Sequence, residues 1–336
     1  MVKLNVLDYA QVDEGSNPYE AIRQSSELAK HADSIGFHRF WVAEHHNLPA
    51  FASSSPEVLM MHIADSTENI RVGSGGVMLP HYSPYAVSEN IRTIEAAHKG
   101  RVDLGIGNTL GVKSVQEALD ETTDELLDYN ESVKDVKHFL TSADDPDFRH
   151  NELTANPNVE TTPELFMLSA SVKNAKFAAK EGIGYCYGIF PYASPDKIKI
   201  GKQAFNAYRD EFVPSDVLSE PKNMFSIFAA VAETEEEAEA AAKAIDLWML
   251  GQDNFEHFDY FPSIEYAENY EPTPNQAKRI ERNRSRMVVG SRDTIKERLD
   301  EYANAFDADE IMVCMIMPGI ERRKKGLSIL ADVYGL

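Results

Sequence analysis

The chain has 336 residues, of which 43% are hydrophobic and 26% are charged, a composition typical of a folded protein with a large core. Its 55 acidic residues outnumber its 33 basic residues and give a formal net charge of −22, so phosphate backbones and anionic lipid surfaces would repel it. We therefore expect no nucleic acid partner and no membrane partner. The length fits either two domains or one α/β barrel with insertions.

The N-terminal segment and the cysteines indicate the compartment. Asp8 interrupts the apolar start of the chain too early for a signal peptide, and no later stretch approaches ~18 consecutive apolar residues. Cys186 and Cys314 lie in apolar runs, which is typical of buried thiols rather than of a disulfide framework or a four-ligand zinc site. These features predict a cytoplasmic protein.

Short runs of β-branched and aromatic residues alternate with longer segments of helical periodicity along the chain. The predicted strands are residues 3–8, 38–44, 70–78, 101–107, 164–170, 182–190, 223–233 and 309–317. The predicted helices are residues 18–35, 56–66, 84–98, 112–140, 172–181, 195–212, 234–250, 275–286, 291–306 and 320–333. Ser291 is the predicted N-cap of the helix that it begins. Polar, proline-containing excursions interrupt the pattern at about 141–162 and 251–276, and we interpret the second as a lid or insertion.

Eight strands with intervening helices fit either a closed (β/α)8 barrel or an open, doubly wound sheet, and periodicity is compatible with both. The count of eight favours the barrel, with residues 1–336 as one domain. In such a barrel, the strand ends that lead into helices form the active face. Chemistry is therefore expected at those strand ends.

Glu44, His45 and His46 end the second predicted strand. Neighbouring side chains point to different sides there, and histidine exchanges protons near neutral pH, so the trio predicts an acid/base centre. The alternative is that the histidines are ordinary polar groups at a strand end. No HExxH or HxH spacing supplies further metal ligands, so we predict no metal site.

Glycines and serines follow other strands. Gly75 and Gly76 would let a flat ligand approach the backbone, although a bulge would use the same residues. Residues 105–111 resemble a dinucleotide loop, but the last spacing is one residue too long. Ser169 and Ser171 precede a helix whose free N–H groups would bind phosphate, unless Ser171 is only a helix cap. The combination suits a phosphorylated planar cofactor.

The sequence resembles the luciferase-like flavin monooxygenases, in particular their non-luminous bacterial members. Four segments carry the resemblance: AEHHNLPAFASSSP (43–56), IRVGSGGVMLPHYSP (70–84), HKGRVDLGIG (98–107) and MVVGSRDTIKERL (287–299). Membership of this family implies a (β/α)8 barrel with reduced FMN at its mouth as a co-substrate, and oxygenation of a small organic substrate by O2. It also implies electrons from a separate flavin reductase or from NAD(P)H directly, and a homodimer.

The resemblance assigns roles to individual residues. The family's catalytic histidine corresponds to His45, adjacent to Glu44 and His46. The flavin ring would lie against a non-prolyl cis peptide at Gly75-Gly76, and a side chain on Gly76 would occupy the ring's surface. The further predicted cofactor contacts are Ser74, Gly107, Asn108, Ser169, Ala170, Ser171, Val172 and Lys173.

Two of these positions depart from the family pattern. Luciferases have a reactive cysteine where this chain has Gly107, so no cysteine chemistry is expected there. Asn108 stands where an arginine often pairs with the FMN phosphate, and an amide offers neutral donors in place of a charged fork. Lys173 would restore the positive charge.

The leading hypothesis is therefore an FMN-dependent monooxygenase. Two alternatives are a barrel that binds a flavin without turnover and a deazaflavin-dependent hydride-transfer enzyme. A metal hydrolase built on His45 and His46 comes last.

Overall fold

The computed structural model describes residues 2–121, 127–141, 145–189, 196–251 and 258–336. Its strands are β1 (Lys3–Asp8), β2 (Arg39–Val42), β3 (Arg71–Ser74), β4 (Val77–Met78), β5 (Val102–Gly107), β6 (Glu164–Leu168), β7 (Gly184–Gly188), β8 (Asn223–Ala232), β9 (Met287–Ser291) and β10 (Glu310–Cys314). Its helices are α1 (Pro18–Ser34), α2 (Pro56–Ser66), α3 (Pro84–Ala97), α4 (Lys113–Leu119), α5 (Tyr129–Thr141), α6 (Val172–Glu181), α7 (Lys197–Asp210), α8 (Glu235–Gly251), α9 (Ile264–Asn269), α10 (Pro274–Arg284), α11 (Ile295–Phe306) and α12 (Ile320–Tyr334), with a 3₁₀ turn at Leu79–His81.

The strands are parallel and close into a barrel. The order runs from β10 through β1, β2, β3, β5, β6 and β7 to β8, and β8 pairs with β10. β4 continues the direction of β3 beyond Gly75 and Gly76 and pairs with β5. The predicted (β/α)8 barrel is confirmed, and the open sheet is excluded.

The core follows from the buried faces of these strands. In β8, for example, all residues from Asn223 to Val231 are buried, as expected for a parallel strand covered on both faces. Inside the barrel the Trp41 and Phe166 rings pack edge to face with centroids 5.2 Å apart. Cys186 and Cys314 are free thiols and buried, as predicted. Among the described helices, none combines the length and the apolar content needed to cross a bilayer.

The N-terminal end of the barrel is closed by a buried ionic network. Arg39 donates to Asp103 Oδ2 at 2.7 Å, to Glu310 Oε2 at 2.7 Å and to Glu164 Oε2 at 2.9 Å. Arg71 donates to the other oxygen of Asp103 at 2.6 and 2.8 Å. Burial alone would raise the pKa of Asp103, yet Arg39 and Arg71 hold it below its ordinary value.

Two sequence predictions of secondary structure are wrong. Residues 287–291 form β9, which pairs with Phe228–Ala232, the part of β8 beyond its pairing with β10. Ser291 therefore ends a strand, and α11 begins at Ile295. The helix predicted at 112–140 is two helices, α4 and α5.

The two predicted excursions are described only in part. Residues 145–162 contain neither helix nor strand. The segment after α8 contains α9, and backbone bonds join Phe261 to Val12 and Glu14 near the end of β1. The lid predicted around 251–276 includes residues 252–257, which lie outside the described ranges, so it stays a prediction.

Candidate active site

The predicted site residues lie at the C-terminal ends of adjacent barrel strands. Val42 of β2 is aligned with Ser74 of β3, and Met78 of β4 with Gly107 of β5. β5 pairs in turn with β6, which ends just before Ser169. The carboxyl ends of parallel barrel strands share one face. The structure therefore brings together residues 44–46, 74–76, 107–108 and 169–173 at the mouth of the barrel.

Glu44 is a fully shielded carboxylate surrounded by donors. Its Oε1 atom accepts from His46 Nε2 at 2.7 Å and from the Tyr82 hydroxyl at 2.6 Å, while Oε2 accepts from the Met78 N–H at 2.8 Å. Burial, together with this bond to Glu44, raises the pKa of Tyr82, so the phenol remains a donor. A buried carboxylate requires such partners. Glu44 thus orients His46 and connects the end of β2 to β4.

His45 lies among aromatic side chains. Its ring centroid is 4.4 Å from that of Tyr9 and 5.2 Å from that of Phe51. Its backbone N–H donates to the Ser53 carbonyl at 2.8 Å, and its Nδ1 atom lies 3.4 Å from the Ser53 hydroxyl. Removal from water, and secondarily the neighbouring His46, lower the pKa of His45 to about 4. The imidazole is therefore neutral at neutral pH and able to accept a proton.

An apolar wall continues from this histidine. The Trp248 ring packs 5.2 Å from Phe51, 6.1 Å from Phe228 and 6.0 Å from Phe261, centroid to centroid. All four side chains are buried. Such a wall excludes water from the inner side of the mouth and strengthens electrostatic interactions there.

The Gly75-Gly76 peptide bond is cis, as the resemblance implies. A Cβ atom on Gly75 would lie 2.6 Å from Leu7 Cδ1, and one on Gly76 would lie 2.8 Å from the carbonyl oxygen of Gly105. An added side chain would therefore meet the barrel wall. The backbone of β5 thus leaves no room for a side chain on Gly76, and the expectation that such a side chain would occupy the flavin surface stays a prediction.

Ser74 and Gly107 differ in the space around them. The Ser74 hydroxyl donates to the Gly105 carbonyl at 2.8 Å and accepts from the Gly105 N–H at 3.1 Å, so it serves the sheet. A Cβ atom on Gly107, in contrast, would meet nothing within 4 Å. The exposed Asn108 follows directly. The end of β5 therefore opens onto space that a ligand can use.

The N-terminus of α6 is organised by serine hydroxyls. Ser171 is the N-cap, and its Oγ accepts from the Asn174 N–H at 3.2 Å. Ser169 Oγ accepts from the Ser171 N–H at 3.3 Å and from Asn174 Nδ2 at 3.0 Å. The Tyr185 hydroxyl donates to the Ser169 carbonyl at 2.9 Å and so fixes the turn. The capping role of Ser171 is confirmed, and it leaves room for a second role.

The neighbouring positions on α6 fit an anion. The first N–H groups of a helix lack intrahelical acceptors, and Ser171 occupies only the one on Asn174. The amides of Val172 and Lys173 therefore remain at the positive end of the helix dipole. Ala170 and Lys173 are exposed. This donor set has the chemistry of a phosphate site.

The chain matches the luciferase-like monooxygenases over residues 2–309. It belongs to this family. It is 38% identical over 340 residues to the uncharacterized protein YceB of Bacillus subtilis (strain 168), with 99% of this chain and 100% of YceB covered. It is 29% identical over 335 residues to the N-acetyl-S-alkylcysteine monooxygenase of the same strain, with 99% and 98% covered.

Solved structures of luciferase-like barrels resemble it over their whole length. Apo-MsnO8 has a TM-score of 0.87 and 34% identity, covering 100% of this chain and 99% of MsnO8. The oxygenating constituent of the 3,6-diketocamphane monooxygenase of Pseudomonas putida, solved with FMN, has a TM-score of 0.70 and 16% identity, with 99% and 97% covered. An F420-dependent secondary alcohol dehydrogenase, solved with an F420-acetone adduct, has a TM-score of 0.68 and 16% identity, with 99% and 98% covered. The last two likenesses concern the fold.

Several residues of this luciferase-like mouth escaped the sequence analysis. Tyr82 and Ser53 contact Glu44 and His45 respectively, and Asn174 holds the serine turn. Tyr82 and Ser53 lie inside segments that carry the family resemblance, which is the signal that singles them out. The N-cap spacing from Ser171 was the available signal for Asn174.

A concavity on the same face has chemistry different from that of the predicted site residues. It encloses about 1170 Å³ and is lined in part by the segments that follow β1, β8 and β10. None of the predicted site residues lines it. Its charged lining residues are Asp13, Glu14, Glu20, Glu233, Glu237, Glu268, Glu321, Arg322 and Lys325. The acidic excess opposes a phosphate there. Across the part of the chain that the structure describes, no group of three His, Cys, Asp or Glu side chains is arranged to hold a metal ion.

Proposed function

We propose that this luciferase-like barrel is an FMN-dependent monooxygenase that uses reduced FMN and O2 to oxygenate a small organic substrate. One observation carries the proposal. The serine-capped N-terminus of α6 follows β6, which pairs with the open, glycine-ended β5, and both strand ends lie at the mouth that holds His45. A helix N-terminus beside an open strand end suits a phosphorylated planar cofactor.

The residues present fit FMN. Ser169, Ser171 and the amides of Val172 and Lys173 would hold the phosphate, with Asn108 as a neutral donor and the Lys173 ammonium as the cation. The isoalloxazine would rest along Gly75, Gly76 and Gly107, with Ser74 and Ala170 contributing backbone. The FMN complex of the diketocamphane monooxygenase supports FMN in a barrel of this fold. The similarity to the N-acetyl-S-alkylcysteine monooxygenase supports an oxygenation reaction.

Reduced FMN, when bound, supplies the electrons with which O2 is activated. The chain's own residues then have three tasks. His45, held neutral by burial, accepts a proton at the mouth and returns it. Glu44 keeps His46 oriented through Nε2, and the wall around Trp248 excludes water.

The setting of the enzyme is part of the same proposal. We propose that residues 1–336 act as one cytoplasmic catalytic domain supplied with reduced FMN by a separate flavin reductase. Tyr19 and Val58 on the neighbouring helices α1 and α2 are 90% and 73% exposed, which supports a homodimer through these helices. Light scattering should give twice the monomer mass, and Val58→Asp should shift it towards the monomer.

A deazaflavin-dependent hydride transfer is the second candidate, because the F420-dependent dehydrogenase shares the fold. Separate titrations with FMN and with F420, followed by absorbance and fluorescence, distinguish the two. Saturable FMN binding, followed by O2-dependent reoxidation that differs in rate from free reduced FMN, supports the monooxygenase. If the protein binds F420 but not FMN, the monooxygenase proposal is contradicted. If it binds FMN but reduced FMN is reoxidised at the rate of free reduced FMN, the protein is a flavin-binding barrel without turnover.

A further inference from the structure

The segment 108–121 follows β5 at the mouth and buries none of its side chains. It runs from Asn108 through α4, and all its residues are exposed or half-buried. A helix of seven residues is too short to persist on its own. Its position therefore depends on specific contacts with the barrel.

His81 makes two such contacts, one near each end of the segment. Its Nε2 atom lies 3.1 Å from the Leu110 carbonyl oxygen, and its Nδ1 atom lies 2.8 Å from Asp120 Oδ1. The His81 side chain is 0% exposed. Each ring nitrogen therefore faces an oxygen acceptor, one on the backbone near the start of the segment and one on a side chain near its end. The contact with Asp120 is largely shielded from water, because the two side chains are 0% and 15% exposed.

His81 is also anchored to the barrel. It ends the 3₁₀ turn that follows β4, in which Leu79 and Pro80 are buried, and α5 packs against this turn. The next residue, Tyr82, donates to Glu44. One short turn therefore faces the Glu44 carboxylate with one side chain and the segment 108–121 with the next.

We propose that His81 is a positioning residue that holds the segment 108–121 at the mouth and thereby places Asn108 for the cofactor phosphate. The cofactor part rests on the proposed function. The holding of the segment does not, because it concerns contacts within this chain alone.

Lys113 offers a direct probe of the held segment. It is the sole Lys or Arg between Arg101 and Lys134, and its side chain is 87% exposed. Tryptic cleavage after Lys113, followed by mass spectrometry on the folded, flavin-free protein, measures how often the segment opens. His81→Phe removes both ring nitrogens while keeping a ring, and it should be cleaved at least about fivefold faster than the unaltered protein.

Two further variants keep this test decisive. Asp120→Asn keeps the shape of a side chain that is 15% exposed and replaces one carboxylate oxygen by an amide nitrogen, and it should accelerate cleavage by a smaller factor. His98→Phe is the matched control, because His98 also lies 3.2 Å from a carboxylate, that of Asp65, but outside this segment. It should be cleaved like the unaltered protein. If the His81→Phe and Asp120→Asn variants are both cleaved as slowly as the unaltered protein, the proposal is overturned.

Flavin titration tests whether holding the segment 108–121 promotes cofactor binding. His81→Phe should weaken FMN binding by roughly three- to tenfold, because an unheld segment must be ordered on binding, while turnover at saturating FMN stays within about twofold. Faster cleavage with unchanged FMN affinity would overturn the link to the cofactor. If the unaltered protein binds no FMN, the proposed function fails, and the cleavage rates still decide whether His81 holds the segment.

Discussion

The two ends of the barrel use ionisable side chains in opposite ways. At the N-terminal end, Arg39 and Arg71 saturate Asp103, and Glu310 also accepts from Arg39. At the mouth, His45 has aromatic neighbours and a 3.4 Å contact to a hydroxyl. Charges that satisfy one another fix a structure, whereas groups with spare donors and acceptors are available to a ligand. Stability is therefore assigned to the N-terminal end, and the proposed chemistry to the mouth.

The largest expected effect is on the closed end. Arg39→Met should lower the free energy of unfolding by about 3–5 kcal/mol, because it leaves Asp103 and Glu310 buried without their main cation. Urea denaturation measures the loss. Arg39→Lys, which keeps the charge but not the fork, should lose less. A loss below about 1 kcal/mol for Arg39→Met would show that the network contributes little.

The next largest effect is on the mouth. His45→Gln should slow the O2-dependent reoxidation of bound reduced FMN about 100-fold, the usual scale for a positioned acid/base group, with FMN affinity changed only a few-fold. Stopped-flow mixing with O2 at matched flavin saturation measures this. Equal rates in the variant and the unaltered protein would remove His45 from the mechanism.

How much of this could be predicted from sequence differs between fold and site. The eight barrel strands were predictable because each is a compact apolar run followed by a helical period. β9 was not, since its five residues, MVVGS, pair with a part of β8 beyond the barrel that no local pattern marks. The helix 112–140 was overextended because α4 has helical composition without any buried face.

At the site, the sequence predicted which residues lie there, but it did not predict the hydrogen-bond partners of their side chains. The cis bond at Gly75-Gly76 was expected from the resemblance. The bond from Tyr82 to Glu44 joins residues 38 positions apart, and the bonds of Ser74 to Gly105 span 31 positions. Such contacts follow from the register of neighbouring strands, which the residue types do not reveal.

Substitutions of Gly76 and Gly107, which differ in the space around them, sharpen the comparison within the mouth. Gly76→Ala should cost about 1–3 kcal/mol of unfolding free energy, because its Cβ would meet the backbone of Gly105. Gly107→Val should stay within about 0.5 kcal/mol but weaken FMN binding, since its side chain enters open space. Thermal melts and flavin titration separate these outcomes. Normal FMN uptake by Gly107→Val would move the ring away from β5.

Acid titration compares a histidine at each end. Burial lowers the pKa of His45 and of His38 from 6.5 to about 4, with His46 and Arg39 respectively as second causes. Between these pH values the unfolded chain binds more protons, so the stability contributed by each neutral ring is complete above pH 6.5 and is lost as the pH falls towards 4.

Each ring should account for about 1–2 kcal/mol of this acid loss, since both keep some contact with water. His45→Gln and His38→Gln should each flatten the dependence of unfolding free energy on pH. Saturating FMN should alter the His45 contribution alone. A change in the His38 contribution on adding FMN would break the separation of the two ends.

The most direct test of the central claim is FMN titration of Ser171→Asp. Aspartate remains an N-cap, so α6 should persist, but its charge would face the proposed phosphate and weaken FMN binding at least tenfold, roughly 1.4 kcal/mol. Thr273→Asp, which likewise places an aspartate at a helix N-cap, that of α10, is the control and should bind FMN normally. Tighter binding by Asn108→Arg would add support from the neighbouring strand. Unchanged FMN affinity in a folded Ser171→Asp protein would contradict the placement of the cofactor at this mouth.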